Sequence, residues 1–169
     1  MLFRNGTHLI DTVCYFADSD PEWVFAELEP GYEGYTEYQG TGRDPETEPA
    51  ANGYIHFANG VHAFYVGGSK TTPGAFTLEI VGTDGAVHAG GMEGEAMLYK
   101  DGSAEPIRPA EWEVSGIPAG AREMVTLLTE GGESVSPARE ALKVVEIIFG
   151  FLESQRRGNA KVHLPLARE

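Results

Sequence analysis

Asn5-Gly6-Thr7-His8-Leu9-Ile10-Asp11 is the stretch from which the rest of the chain is read. Gly6 reads as a break and Thr7 as an N-cap, so a helix is predicted to open here. Leu9, Ile10, Val13, Cys14, Phe16 and Ala17 supply its apolar faces. His8 and Asp11 are three residues apart and share one helical face. A carboxylate at that spacing can orient an imidazole for acid/base work. The structural reading of the same pair is a first-turn His and Asp that satisfy the groups at a helix end.

Outward from this stretch, composition sets the bounds. The 169 residues suffice for one domain with a core and fall short of two ordinary ones. Apolar residues at 41% mark a globular chain. The net charge of −14 argues against nucleic acid and against an anionic membrane surface, because both demand a basic face. Acidity of this kind serves solubility or a salt-rich habitat. The single cysteine, Cys14, excludes an internal disulfide and a multi-cysteine metal site and reads as a core residue. A reducing, cytoplasmic compartment fits. No signal peptide is visible, and no run approaches the ~20 apolar residues that span a bilayer.

Asp18-Ser19-Asp20-Pro21 ends the first helix. Trp23 to Leu28 then alternates, with Trp23, Phe25 and Glu27 on one face and Val24, Ala26 and Leu28 on the other, as in a strand with one buried face. Residues 29–51 are rich in Gly and Pro, with Tyr32, Tyr35 and Tyr38 recurring. They read as a surface loop pinned by aromatics or a mobile loop touching a ligand. Tyr54 to Ala58 and Val61 to Val66 flank Asn59-Gly60, a type I′ hairpin signal. His56 and His62 lie either side of that turn. No third ligand has suggestive spacing, so no metal site is expected. Neither Gly40-Thr41-Gly42 nor Gly67-Gly68-Ser69-Lys70-Thr71 has the strand, glycine spacing and helix of a phosphate loop, so no cofactor-binding residue is assigned.

Strands are predicted over Phe76 to Val81, Ala86 to His88 and Glu95 to Lys100, with one more around Trp112 and Val114. Short connections without helices favour antiparallel pairing. Pro118 to Glu130 reads as a helix with Met124, Val125, Leu127 and Leu128 on its apolar side, stopped by Gly131-Gly132. Ser136 and Pro137 start a longer helix with an Ala141, Val145, Ile148, Leu152 stripe, widened by Val144, Ile147, Phe149 and Phe151. Arg156, Arg157 and Gly158 finish it, and Lys161 to Leu166 gives a last strand. The expected architecture is one α+β domain over residues 1–169. It has two layers: an open, mostly antiparallel sheet with helices on one face. The other face, expected to carry Ile55, Phe57 and Phe64, needs cover, and a second copy is the simplest cover.

The pieces and their order resemble the C-terminal domain of the Gfo/Idh/MocA oxidoreductases, the relatives of glucose-fructose oxidoreductase and inositol dehydrogenase. The opening helix with Thr12-Val13-Cys14-Tyr15-Phe16 carries the resemblance. So do Pro21-Glu22-Trp23-Val24, residues Asn52 to Gly60, Leu78 to Gly85, the helix from Ser136, and Val162-His163-Leu164-Pro165-Leu166.

The resemblance implies a sheet that makes a homodimer contact, and NAD or NADP held by a separate Rossmann domain. That domain's glycine turn and Glu-Lys-Pro motif are not found here, and this chain alone is expected to bind no cofactor. It further implies that His8 stands beside the substrate hydroxyl as an acid/base or positioning group. Asp11 would orient it or accept a substrate hydroxyl, and Asn5 and Thr7 would support substrate binding. Arg4 stands where many members carry an Asp, and an arginine there can bind an acidic substrate group. The implied function is the substrate-binding and dimerisation domain of an oxidoreductase acting on a sugar or polyol hydroxyl, inactive alone. The alternatives are a stand-alone binding or assembly module, and a nucleotide-independent hydrolase or isomerase using His8 and Asp11.

Overall fold

Val24, Ala26 and Leu28 point into the core from strand β1 (Pro21–Leu28) while Trp23, Phe25 and Glu27 point away, and the first part of the molecule is laid against this alternation. The protein is seen here as a computed structural model that describes residues 2, 6–29, 50–67, 76–90, 95–108 and 114–167. Arg4, Asn5, Tyr32, Tyr35, Tyr38, residues 68–71 and Trp112 lie outside the described residues.

The described residues are α1 (Gly6–Ala17), β1, β2 (Ala51–Phe57), β3 (His62–Gly67), β4 (Thr77–Gly82), β5 (Gly85–Gly90), β6 (Glu95–Lys100), β7 (Ser103–Ile107), α2 (Gly116–Glu130), α3 (Ala138–Arg156) and β8 (Val162–His163). The α+β class and the antiparallel pairing hold. The strands expected in one sheet form two, ordered β3-β2-β1-β8 and β4-β5-β6-β7. Local patterns specify strands and hairpins; which edges then pair is a matter of long-range packing. Two compact units result, 1–73 with 138–169, and 74–137.

In the first unit, α1 and α3 supply Ile10, Cys14, Ala17, Val144, Ile147, Ile148, Phe151 and Leu152 to a core shared with one face of the first sheet. Full burial of each large side chain there contributes about 1.5–3 kcal/mol. The α3 stripe is rotated from the expected one. Val144, Ile147, Ile148, Phe151 and Leu152 face inward, whereas Val145 and Phe149 remain 44% and 48% exposed. Two glycines decide that orientation. A Cβ on Gly150 would sit 2.7 Å from Val24 Cγ2, and one on Gly53 of β2 would enter the Phe151 ring, so α3 approaches β1 and β2 closely only along this face.

Local details differ from expectation for identifiable reasons. Helix α1 starts at Gly6, so Thr7 lies inside its first turn and is not the cap. The β2–β3 turn is not type I′, because only Gly60 has a positive φ (88°). Gly60 N–H donates to Phe57 O at 2.9 Å, and the Asn59 side chain is committed elsewhere: its Nδ2 donates to Ala17 O at 2.9 Å and its Oδ1 accepts from Val61 N–H. The type I′ geometry appears at Asp101-Gly102 (φ 51° and 77°), which joins β6 to β7, a strand the sequence reading missed. β8 is only two residues long. Leu164 N–H still donates to Glu22 O at 2.8 Å, but Pro165 then has no N–H to offer.

The second unit is a meander of three hairpins plus α2. α2 runs to Gly131 as expected, and none of its residues is buried; Met124, Val125 and Leu128 are exposed. Among the described residues, no helix is long and apolar enough to cross a membrane.

Candidate functional site

The first two turns of α1 set out three of the five candidate residues, Thr7, His8 and Asp11. Gly6, Ile10, Cys14 and Ala17 take the buried side of the helix, which leaves His8 and Asp11 exposed and Thr7 half-buried. His8 and Asp11 thus stand on the open side of the helix, and the His8 carbonyl accepts a bond from Thr12 Oγ1 at 2.8 Å. An imidazole there can hold or pass a proton, and a carboxylate there can accept a bond from a hydroxyl. As exposed groups they do not exclude water by themselves.

Between α3 and the link from α1 to β1 runs a charged seam that the sequence reading missed. Lys143 Nζ lies 2.9 Å from Asp20 Oδ1 and 2.9 Å from Glu140 Oε2. The hydrogen bond that Lys143 donates to Asp20 pushes the Lys143 pKa above its usual value, with burial opposing it and Glu140 assisting. Lys143 reads in the sequence only as a polar break in an apolar stripe; its partner Asp20 is brought to it by packing.

Cys14 lies beside this seam. Burial, with the nearby Asp11 carboxylate next in importance, pushes its thiol from 9.0 up to about 12; Lys143 opposes and Glu140 adds. The fold therefore favours the neutral thiol. That contribution is complete below pH 9.0 and is lost as pH rises toward about 12. Raised Lys143 acts in the same alkaline direction. Native Cys14 should not react with an aromatic disulfide reagent at about pH 8, while chain unfolded in denaturant should react at once. Rapid labelling of the native protein would contradict the burial.

A second surface is the open face of the first sheet. Ile55 and Phe57, expected on it, are fully buried on the helix side. Register places other residues there: His62, His56, Trp23 and His163 form one row across β3, β2, β1 and β8, and Phe64, Tyr54 and Phe25 form the next. The rings stack on one another. Trp23 lies 4.9 Å from His56 and 5.0 Å from Tyr54, Phe25 lies 5.3 Å from Tyr54, and Tyr54 lies 5.8 Å from His62. Lys161 Nζ sits 3.9 Å over the Trp23 ring. His56 Nδ1 is buried without a hydrogen-bond partner, and its Nε2 is 3.8 Å from the Glu22 carboxylate. Strand alternation in β1 pointed to Trp23 and Phe25; the rest of the row required the register. Among the described residues, no three His, Cys, Asp or Glu side chains converge as a metal site.

The described residues do not fit the pyrophosphate of a nicotinamide cofactor. Both sheets are antiparallel, and no strand runs through a glycine-rich turn directly into a helix, so the βαβ seat is lacking among them.

The pattern of the GFO/IDH/MocA C-terminal domain matches residues 1–88. No curated protein matches the chain. Among solved structures, aldose-aldose oxidoreductase from Caulobacter crescentus, complexed with glycerol, is similar with a TM-score of 0.75 and 19% identity over 94% of this chain and 46% of that one. The WlbA dehydrogenase from Bordetella pertussis, solved with NADH and UDP-GlcNAcA, gives 0.70 and 17% over 98% of this chain and 46% of that one. Biliverdin reductase from Synechocystis sp. PCC 6803, solved with biliverdin and NADP+, gives 0.63 and 14% over 87% and 44%. The chain spans less than half the length of each of these three proteins.

Proposed function

Since the chain belongs to the GFO/IDH/MocA family, whose C-terminal domain pattern it matches over residues 1–88, we propose that it is the substrate-side and dimer-forming part of an NAD(P)-dependent oxidoreductase acting on a sugar or polyol hydroxyl. The observation that carries the reading is the pair His8 and Asp11, three residues apart on α1 and both exposed. When bound beside them, the nicotinamide supplies the hydride chemistry. His8 holds or passes the proton of the reacting hydroxyl, Asp11 accepts a bond from a substrate hydroxyl, and Thr7, with Arg4 and Asn5 ahead of it, lines the substrate. Because His8 and Asp11 are exposed, the chain is inactive until another surface closes over them. Two neighbours whose names carry sugars support the substrate class, and biliverdin reductase is a reminder that this fold also serves a different one. A cytoplasmic setting belongs to the same proposal.

The dimer is proposed through the open face of the first sheet. There Trp23, His56, Tyr54, Phe25 and His62 stack at interplanar angles of 10° to 22°, and Phe64, 73% exposed, stands edge-on to Tyr54 at 74°. With Phe25, Phe64 and Val66 exposed on the same sheet, this apolar face suits the side-chain interdigitation of two sheets about 10 Å apart.

The test is a titration of the purified chain with NADH and with NADPH, following nicotinamide fluorescence, with a light-scattering mass on the same sample. The expected result is no saturable binding and a dimer mass. Saturable binding would overturn the cofactor part of the reading, and a monomer mass the dimer part. Turnover that consumes no nicotinamide and disappears in His8→Ala would favour the hydrolase or isomerase alternative.

A further inference from the structure

Three of the chain's five histidines lie in one row of the open face, His62, His56 and His163, with Trp23 completing it. We propose that this row makes the dimer pH-gated, with copies associated at neutral pH and separated in mild acid. The inference rests on the dimer reading above and adds its regulation.

The physical case starts at His56. Its ring is wedged against Trp23, its Nδ1 is already shut away from solvent with no acceptor, and its other nitrogen is 3.8 Å from Glu22. Protonation turns that Nδ1 into a charged donor with nothing to bind, and a second sheet laid over the face removes the remaining water. The surroundings add to the cost. His62 on β3, His163 on β8 and Lys161 over Trp23 are the other cationic or protonatable groups of this end of the face. The answering carboxylate is Glu22 of β1, which is 54% exposed and so a weak partner. Tyr54 is the remaining titratable ring against the row, and Glu27 lies farther along β1. A dimer brings two such rows into one dry interface. Histidine is the side chain that changes charge between about pH 5 and 8, so this is the interval in which the dimer weakens.

The sign separates this device from a general charge effect. The chain carries a net −14, and acid reduces the repulsion between copies. Net charge alone therefore predicts tighter association in acid, whereas the histidine row predicts weaker association.

The experiment is sedimentation or light scattering of the purified chain across a concentration series at pH 7.5 and 5.5, at constant ionic strength. Release of one proton per copy on association has a limiting slope of about 100-fold in Kd per pH unit, so the dimer Kd should be about 10- to 100-fold weaker at pH 5.5 than at pH 7.5. His56→Gln, which cannot take up a proton there, should keep the pH 7.5 affinity at pH 5.5. His62→Gln and His163→Gln serve the same purpose if that variant does not fold, each removing part of the weakening. A monomer at both pH values would overturn the dimer reading and the gate together. A dimer of equal affinity at both would overturn the gate alone. Weakening that persists undiminished in all three variants would overturn the assignment to the histidines.

Discussion

Gly53→Val should leave the chain largely unfolded, and Gly53→Ala should lower its stability by about 2–3 kcal/mol. Gly53 faces α3 from the middle of β2, and a Cβ built there would meet the Phe151 ring at Cζ, with Cε2 at 2.6 Å and Cε1 at 2.7 Å. The ring has no room to retreat. Phe151 is fully buried, Tyr65 lies against it with centroids 6.0 Å apart, and the Gly150 contact with Val24 holds α3 down on the sheet. Alanine in a strand is otherwise favoured over glycine by about 0.5–1 kcal/mol, so any loss measured is steric and not conformational. Chemical denaturation of Gly53→Ala, Phe151→Leu and the double variant forms a cycle that isolates the contact. The double variant should be more stable than the sum of the two single losses predicts. A Gly53→Ala change within about 0.5 kcal/mol of the parent would contradict the close approach of α3 to β2.

Ser154→Ala should cost about 1–3 kcal/mol, a large effect for the loss of one oxygen. β8 pairs with β1 only at Trp23 and Val24, so the backbone of β1 beyond that point lacks a strand partner on this side. The end of α3 takes the place of the strand. Ser154 Oγ accepts from Ala26 N–H at 2.9 Å and donates to Ala160 O at 2.7 Å, and Gln155 Oε1 accepts from Leu28 N–H at 2.8 Å. Ser154 is fully buried and its bond from Ala26 N–H is buried, so removing the hydroxyl strands that donor where water does not reach, while the bond to Ala160 O is only part-buried. Gln155→Ala should cost less, because its bond to Leu28 is only part-buried. Equal losses for the two variants would contradict the idea that Ser154 closes a dry strand edge.

Much of the fold could be read locally because the deciding signals are local. Alternation in Trp23 to Leu28 predicts which side chains of β1 are buried, and Gly131 stops α2 where expected. Asn59-Gly60 and Asp101-Gly102 show the limit of such signals. Both dipeptides suit a type I′ turn, yet only the second makes one, because the Asn59 side chain is drawn to Ala17 at the end of α1. The rotation of α3 was likewise hidden. Val145 and Phe149 are as apolar as Val144 and Ile147, and the choice fell to two small residues, Gly53 and Gly150, that allow close contact on one side.

The candidate site divides in the same way. By itself the sequence determined the helix that carries His8 and Asp11, their shared face, the α+β class, and the antiparallel hairpins, since each follows from residues close together in the chain. Only the tertiary structure decided that Lys143 meets Asp20, that Ser154 closes the edge of β1, and that His62, His56, Trp23 and His163 line up across four strands. These groups are far apart along the chain. Their meeting depends on strand register and on how closely one helix can lie on a sheet, and no local preference encodes either.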